Sequence, residues 1–344
     1  MKEVGEVLTV PVATGMALTL VLLALKQRKP SATKVIWPRI DQKTCVKCVI
    51  GAGLELVTVE MELVDDQLQT DVDAVAEEIA RHGSDVLCVL TTTSCFAPRA
   101  MDDVVSVAKL CKKHDVGHVI NNAYGVQCAM ISEHITAAWR KGRVDAVVQS
   151  TDKNFMVPVG GAVLTARKGC GDVVALVGKN YPGRASISPL LDVIITLLSL
   201  GRKGWRNLLE ERERMFAYLR ERLEEFARTQ NEVVLETPGN PISLAMTLDA
   251  LHESHGGVGG DENNVRALGS MLFHRRISGA RVYSPGKPQN VAGLLFANYG
   301  AHSDGYPHHY INAAAAIGMR REDVDLLIQR MQSCFEHIAK KGGA

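Results

Sequence analysis

The 344 residues of this chain carry 39 Lys and Arg against 38 Asp and Glu, a formal charge of +1, with 46% hydrophobic and 22% charged residues. That length supports a large core and two domains, which excludes a single small module. The near balance of charge excludes capture of nucleic acid by overall attraction, so any RNA contact must rest on local basic patches.

Taken in chain order, the first apolar run is Met16–Leu25, MALTLVLLAL. It is too short to span a bilayer, and no small-residue cleavage site follows it. It reads as a helix starting near Ala13-Thr14-Gly15, with Thr14 able to cap the first amides and Lys26, Arg28 and Lys29 at the negative end. Such a helix start is a ready anion site. Lys34 to Pro38, Leu54 to Met61, Asp85 to Thr92, Gly117 to Asn122 and Val144 to Thr151 read as short buried strands. Amphipathic helices are predicted between them, at Asp71 to Arg81 and Met101 to His114. This alternation predicts an α/β fold, with a mostly parallel sheet and helices on both faces.

Eight cysteines are scattered along the chain, most inside apolar runs, which is the usage of a reducing compartment. Cys45 and Cys48 form a C-x-x-C pair, but no second pair follows to complete a zinc site. A buried helical pair is the favoured reading, with metal or redox chemistry as the alternative.

Ligands of such sheets lie beyond the carboxyl ends of the strands. Thr91 to Cys95, Asn121-Asn122-Ala123 and Ser150-Thr151-Asp152-Lys153 all fall there and are expected to project into one crevice. Lys153, in QSTDKNFMVPVGGAV, therefore has two readings on placement alone. It is either a solvated lysine in a turn or a partly desolvated amine able to act as a nucleophile.

The character changes after Tyr181-Pro182-Gly183-Arg184. A short apolar helix is predicted over Leu191 to Leu200 and a long solvated one over Trp205 to Gln230. A second α/β portion follows, from Glu232 to Glu236, Pro241 to Leu248, Asn263 to Arg276, Ala280 to Ser284 and a closing helix from Arg321 to Lys341. HGGVGGDEN, His255 to Asn263, reads as a surface loop that shares only composition with phosphate-binding loops. The predicted division is a large domain over residues 1–190 and a smaller C-terminal domain over 191–344.

The stretches VPVATGMALTL, WPRIDQKTC, TTTSCFAPR, NNAYGVQ, QSTDKNFMVPVGGAV, YPGRASISP, NPISLAMTL and SGARV, in this order, resemble the O-phosphoseryl-tRNA(Sec) selenium transferases, the selenocysteine synthases of eukaryotes and archaea. The resemblance runs over essentially the whole chain. It implies a fold-type I pyridoxal phosphate enzyme of the aspartate aminotransferase superfamily. The implied reaction converts phosphoseryl-tRNA(Sec) into selenocysteinyl-tRNA(Sec), with selenophosphate as selenium donor, by loss of phosphate from the β-carbon and addition of selenium.

By that resemblance, Lys153 matches the lysine that binds pyridoxal phosphate and acts as base, and Arg184 matches the arginine that contacts the substrate phosphate, a role suited to a guanidinium fork. Asn121 stands where many fold-type I enzymes place an aspartate against the pyridine nitrogen. Ala13, Thr14 and Gly15 are expected to hold the cofactor phosphate and Gln42 to lie near the ring. Arg140 and Lys340 match residues that touch the tRNA, and Arg275 matches the arginine that reads the discriminator base. The resemblance also implies a cytoplasmic homotetramer with no metal, no membrane and no DNA partner.

Family members carry an N-terminal region that does not precede Met1. That leaves a second reading, a truncated, non-catalytic tRNA-binding or oligomerising remnant. A third is another fold-type I enzyme, such as a cysteine desulfurase or a decarboxylase.

Overall fold

The computed structural model describes residues 1–253, 263–286 and 288–342; the glycine-rich loop read from HGGVGGDEN falls, apart from Asn263, outside them. The chain opens with β1 (Val4–Val10), α1 (Thr14–Arg28), β2 (Lys34–Pro38), α2 (Lys43–Gly51) and β3 (Glu55–Val59). A hairpin of β4 (Met61–Val64) and β5 (Gln67–Thr70) leads into α3 (Val72–His82), β6 (Val86–Thr92), α4 (Val104–His114), β7 (Gly117–Asn121), α5 (Ala129–Lys141) and β8 (Ala146–Ser150). The short α6 (Thr151–Phe155), then β9 (Ala162–Arg167) and α7 (Asp172–Asn180), complete this half.

Seven strands form the main sheet in the order β1-β9-β8-β7-β6-β2-β3. The run from β8 to β3 is parallel, and β9 lies antiparallel to both of its neighbours. Every residue of β6, β7 and β8 is buried, as parallel strands covered on both faces require. Alternate side chains serve opposite faces. Leu90, Val119 and Val148 pack with Leu18 and Val21 of α1 and Val46 and Val49 of α2. Ile120 and Val147 pack with Val104 and Ala108 of α4 and Ile131, Ile135 and Trp139 of α5. The expected α/β layering is therefore present.

Capping decides where the helices begin. Asp71 accepts from the amide of Ala74 (2.8 Å), so α3 starts one residue later than its sequence pattern. The helix expected from Met101 starts at Val104, because Asp103 caps it through Ser106 (2.9 Å) and the Asp102 carboxylate is held by Arg99, Thr70 and Thr92. In α1 the cap position belongs to Ala13, in extended backbone, and Thr14 is the first helical residue with no capping bond from its side chain. The capping role expected of Thr14 is thus not observed. At the other end Lys26 and Lys29 donate to the carbonyls of Ala32 (2.7 Å) and Val86 (3.0 Å).

The C-terminal half begins with α8 (Ser188–Thr229), which joins the two helices expected there through Gly201, at φ 62°, ψ 178°. A left-handed φ of this kind suits glycine. Next come β10 (Ser243–Thr247), α9 (Asp249–Glu253), α10 (Asn263–His274), β11 (Arg281–Tyr283), the hairpin β12 (Gln289–Val291) and β13 (Leu294–Phe296), β14 (Tyr310–Ala314) and α11 (Arg321–Gly342). An antiparallel sheet, β10-β14-β11, packs against Leu219, Leu223 and Phe226 of α8, Leu268 and Leu272 of α10, and Met331 and Phe335 of α11. The strand expected at 232–236 is reduced to a single bridge from Val234 to Met246. Its first residue serves a different purpose, since the buried Glu232 carboxylate accepts from Thr247 Oγ1 (2.6 Å) and from the amides of Asp249 (3.1 Å) and Leu251 (2.8 Å) at the start of α9.

Two buried histidines give the fold a pH response. His118 Nε2 meets Thr91 Oγ1 at 2.9 Å and its Nδ1 meets the Arg143 carbonyl at 3.1 Å; His302 Nδ1 accepts the amide of Asp41 at 2.8 Å. Burial pushes both imidazoles down to about 4 from an ordinary 6.5. The folded chain then binds fewer protons than the unfolded one between those values. Stability is complete above 6.5 and is lost as pH falls toward 4, by on the order of 3 kcal/mol for each histidine. Thermal unfolding midpoints should decline steadily from pH 6.5 to 4.5; a flat profile there would contradict this account.

Candidate functional site

The ends of β6, β7 and β8 deliver the candidate residues. After β8 the chain turns directly into α6, so Lys153 stands one turn past the sheet edge. Its backbone is fixed from several sides. Gln127 Nε2 donates to the Lys153 carbonyl (3.2 Å) and its Oε1 accepts the amide of Ile317 (2.9 Å). Asn154 accepts from Val126 (3.1 Å) and donates to the carbonyls of Ala123 (2.9 Å) and Ser150 (2.7 Å), and Thr151 Oγ1 donates to Gly161 (2.9 Å). The Lys153 side chain itself is exposed at a cavity of about 670 Å³. Of the two readings that placement leaves open, a solvated amine and a partly desolvated one, the exposed side chain agrees with the first.

Gln42, Thr44, Phe96, Tyr124, Gln127 and Arg281 line the same cavity. Gln42, expected near the cofactor ring, is the cap residue of α2 and lines the same cavity as Lys153. Phe96 and Tyr124 form an aromatic wall, ring centroids 5.8 Å apart. The start of α1 abuts that of α2: a Cβ on Gly15 would come within 2.7 Å of the methyl of Thr44. Ala13, Thr14 and Gly15 thus lead a helix start, with its free amides, up to a residue of the cavity wall.

Asn121 closes β7, is buried, and donates through Nδ2 to Cys45 Sγ at 3.4 Å, while its Oδ1 has no partner. That oxygen is left free to accept a donor from outside the protein. Cys45 and Cys48 are the buried helical pair favoured from sequence, both on α2, with Cys48 Sγ donating to the Cys45 carbonyl at 3.1 Å. Burial pushes the Cys45 thiol up to about 11, so it remains protonated. No group of three or more metal-ligating side chains exists among the described residues. No helix among them is long and apolar enough to cross a membrane.

Other expected residues stand apart from this cavity. Arg184 lies in the exposed loop between α7 and α8 and is not part of the cavity lining. Pro182 and Gly183, the latter at φ 86°, precede it in that loop. Arg140, in the last turn of α5, is exposed and paired with Glu3 at 2.6 Å. Arg275 follows the end of α10, donating to the Met271 carbonyl (3.2 Å), and Lys340 is exposed near the end of α11, the helix packed against α10. Phe96, Tyr124, Gln127 and Arg281 are cavity residues that sequence reasoning misses. Each belongs to a stretch whose wording carries the resemblance, namely TTTSCFAPR, NNAYGVQ and SGARV.

The residues present suit a flat, anionic, amine-reactive ring. A lysine stands at its rim, a helix start is available for a phosphate, an aromatic wall flanks it, and a partnerless amide oxygen waits at the neighbouring strand end. Together with a seven-stranded sheet of which one strand alone runs backwards, this is a fold-type I pyridoxal phosphate-dependent enzyme. A solved structure of Oryza sativa TDC with PLP shares the fold at a TM-score of 0.67 and 16% identity, covering 99% of this chain and 69% of that one.

The chain belongs to the O-phosphoseryl-tRNA(Sec) selenium transferase family, whose model matches residues 1–336. It is 44% identical to the O-phosphoseryl-tRNA(Sec) selenium transferase of Dictyostelium discoideum over 345 aligned positions, 97% of this chain and 72% of that protein. The crystal structure of an archaeal O-phosphoseryl-tRNA(Sec) selenium transferase superposes with a TM-score of 0.83 at 28% identity, covering 95% of this chain and 70% of that one.

Proposed function

We propose that this chain, with pyridoxal phosphate held at Lys153, converts O-phosphoseryl-tRNA(Sec) into selenocysteinyl-tRNA(Sec), with selenophosphate as the selenium donor. One observation carries the reading: Lys153 stands at the end of β8, at the cavity lined by Gln42, Phe96 and Tyr124, in a chain that matches the family over residues 1–336. Pyridoxal phosphate supplies, when bound, the electron sink that makes a substrate Cα–H bond acidic. Lys153 would hold it through Nζ, the amides of Thr14 and Gly15 would hold its phosphate, and Asn121 would face its ring nitrogen.

The remaining steps belong to the protein. The Lys153 amine, free beside the substrate, takes the Cα proton. The electron pair of that bond expels phosphate from the β-carbon. Selenium of selenophosphate then bonds at the same carbon, water takes the phosphoryl group as the Se–P bond breaks, and the proton returns to Cα from Lys153. Phe96 and Tyr124 shield one side of the cavity from water. Arg184 is proposed to reach the substrate phosphate. Its exposure in the single chain agrees with a contact completed by a neighbouring copy. Arg140, Arg275 and Lys340 are proposed to contact the tRNA, which agrees with their exposed or half-buried cations on helix ends.

A cytoplasmic homotetramer with no DNA partner completes the proposal. The exposed Ile187, Ile195 and Leu198, at and beyond the start of α8, favour assembly, since they would otherwise present apolar surface to water. The proposal also divides the chain into a cofactor domain over 1–190 and a smaller domain over 191–344, supported by the core that β10, β14, α10 and α11 form with α8.

The test is to purify the chain with pyridoxal phosphate, record the visible absorbance of the lysine-bound cofactor, trap it with borohydride on Lys153, and assay phosphoseryl-tRNA(Sec) turnover. An absent adduct sinks the reading. Asn121→Asp tests the neutral strand end. A full charge against the ring nitrogen makes a stronger sink than elimination of phosphate needs, so the variant should shift the cofactor spectrum and open side reactions. A gain in elimination rate without side reactions would overturn this.

A further inference from the structure

The Lys153 cavity has an annexe. A second chamber of about 360 Å³ shares Asp41, Phe96, Arg281 and Tyr299 with it and is otherwise walled by Arg266, Tyr283, Ser284, His302 and Asn312, among others. Arg281 spans the two. Its guanidinium lies 4.5 Å over the ring of Phe96, and no carboxylate pairs with it among the described residues. Asp41, which lines both spaces, accepts from Arg39 (2.9 Å) and from the amides of Gly300 (2.7 Å) and His302 (2.8 Å). Asp152, in the main cavity, accepts from the Ser150 hydroxyl. Arg281 therefore has no direct ionic partner among the described residues.

The chamber walls add hydrogen-bonding groups. Tyr283 and Ser284 are buried and their hydroxyls have no partner. Burial keeps the Tyr283 phenol protonated, a donor at neutral pH. An unpaired guanidinium beside two spare hydroxyls matches a tetrahedral oxyanion better than a cation or a neutral ring.

We propose that Arg281, with Tyr283 and Ser284, forms a second anion subsite that holds a phosphate-type dianion beside the Lys153 cavity. This rests on the proposed reaction, which brings such an anion to the β-carbon twice: once as the group expelled from phosphoserine and once as the selenium donor. Arg281 is a binding and positioning residue in this scheme, with no part in proton transfer.

Calorimetric titration of the pyridoxal phosphate-loaded chain with thiophosphate, a stable stand-in for the donor, and separately with inorganic phosphate provides the test. Wild type should show a site for each anion, which Arg281→Gln should weaken at least about tenfold. Ser284→Ala should weaken it by a smaller factor, with the lysine-bound cofactor absorbance retained in both variants. A raised KM for selenophosphate with an unchanged KM for phosphoseryl-tRNA assigns the subsite to the donor. Altered phosphate inhibition and a raised KM for phosphoseryl-tRNA assign it to the expelled group. Equal affinity of wild type and Arg281→Gln for both anions overturns the subsite. If the loaded chain turns over no phosphoseryl-tRNA, the proposed function fails, while the two binding constants still decide the subsite.

Discussion

Replacing Lys153 by alanine should abolish the visible absorbance and the borohydride-trapped adduct and lower turnover of phosphoseryl-tRNA by at least about a thousandfold. General base catalysis alone is worth roughly 10² to 10⁴ in rate, and this one amine supplies both the anchor and the base. Stability should hardly change, because the side chain is exposed and makes no ion pair with another described residue. The neighbouring hydrogen bonds of Gln127 and Asn154 go to or from backbone, and alanine leaves that backbone in place. Lys153→Arg keeps the charge but not a nucleophilic amine, so it should fail equally. A Lys153→Ala protein that retained more than about a tenth of wild-type turnover would contradict the assignment.

Arg99→Met should have the largest effect on stability, on the order of 3–5 kcal/mol, read from urea denaturation midpoints. Arg99 is fully buried. It donates to the carbonyls of Arg39 (2.8 Å), Ala100 (2.9 Å) and Pro38 (3.3 Å) and to Asp102 (2.8 Å), tying the end of β2 to the segment after β6. Methionine fills much of the volume but leaves three carbonyls unmatched and the Asp102 carboxylate without its counter-charge. Burial already pushes the Asp102 carboxyl up, and the arginine is its largest offset. Adding Asp102→Asn to Arg99→Met should recover part of the loss, since the uncompensated charge is then gone. A loss below about 1 kcal/mol for the single variant would show that water reaches the pair.

Parallel strands buried on both faces wrote themselves plainly into the sequence: KVIWP, DVLCVLTT and VDAVVQST are continuous apolar runs bounded by turns. The strands that sequence reading passes over are of a different kind. β1 is exposed along most of its length, and β9 is the antiparallel strand that returns between β1 and β8. β4, β5, β12 and β13 are three or four residues each, too short for a period to show. Position along the chain foresees that Lys153 and Asn121 end adjacent strands, since strand ends can be counted. It cannot foresee Arg281 at the same cavity, because that residue arrives from the antiparallel sheet of the C-terminal half, by a path no local pattern records. Arg184 is a different case: its Pro-Gly neighbours suggest a turn correctly, while its place outside the cavity lining follows from no local pattern.

Gln127 joins two parts of the chain that lie 164 residues apart, counted from Lys153 to Ile317. One amide group grips the carbonyl of the lysine-bearing turn with its nitrogen and the backbone just beyond β14 with its oxygen. The two grips are in series, like a strut pinned at both ends. The segment at Ile317 cannot be displaced by more than a fraction of an ångström without either breaking a grip or carrying the lysine's turn along with it. The registration of the amine against its substrate is therefore set partly by the far end of the polypeptide.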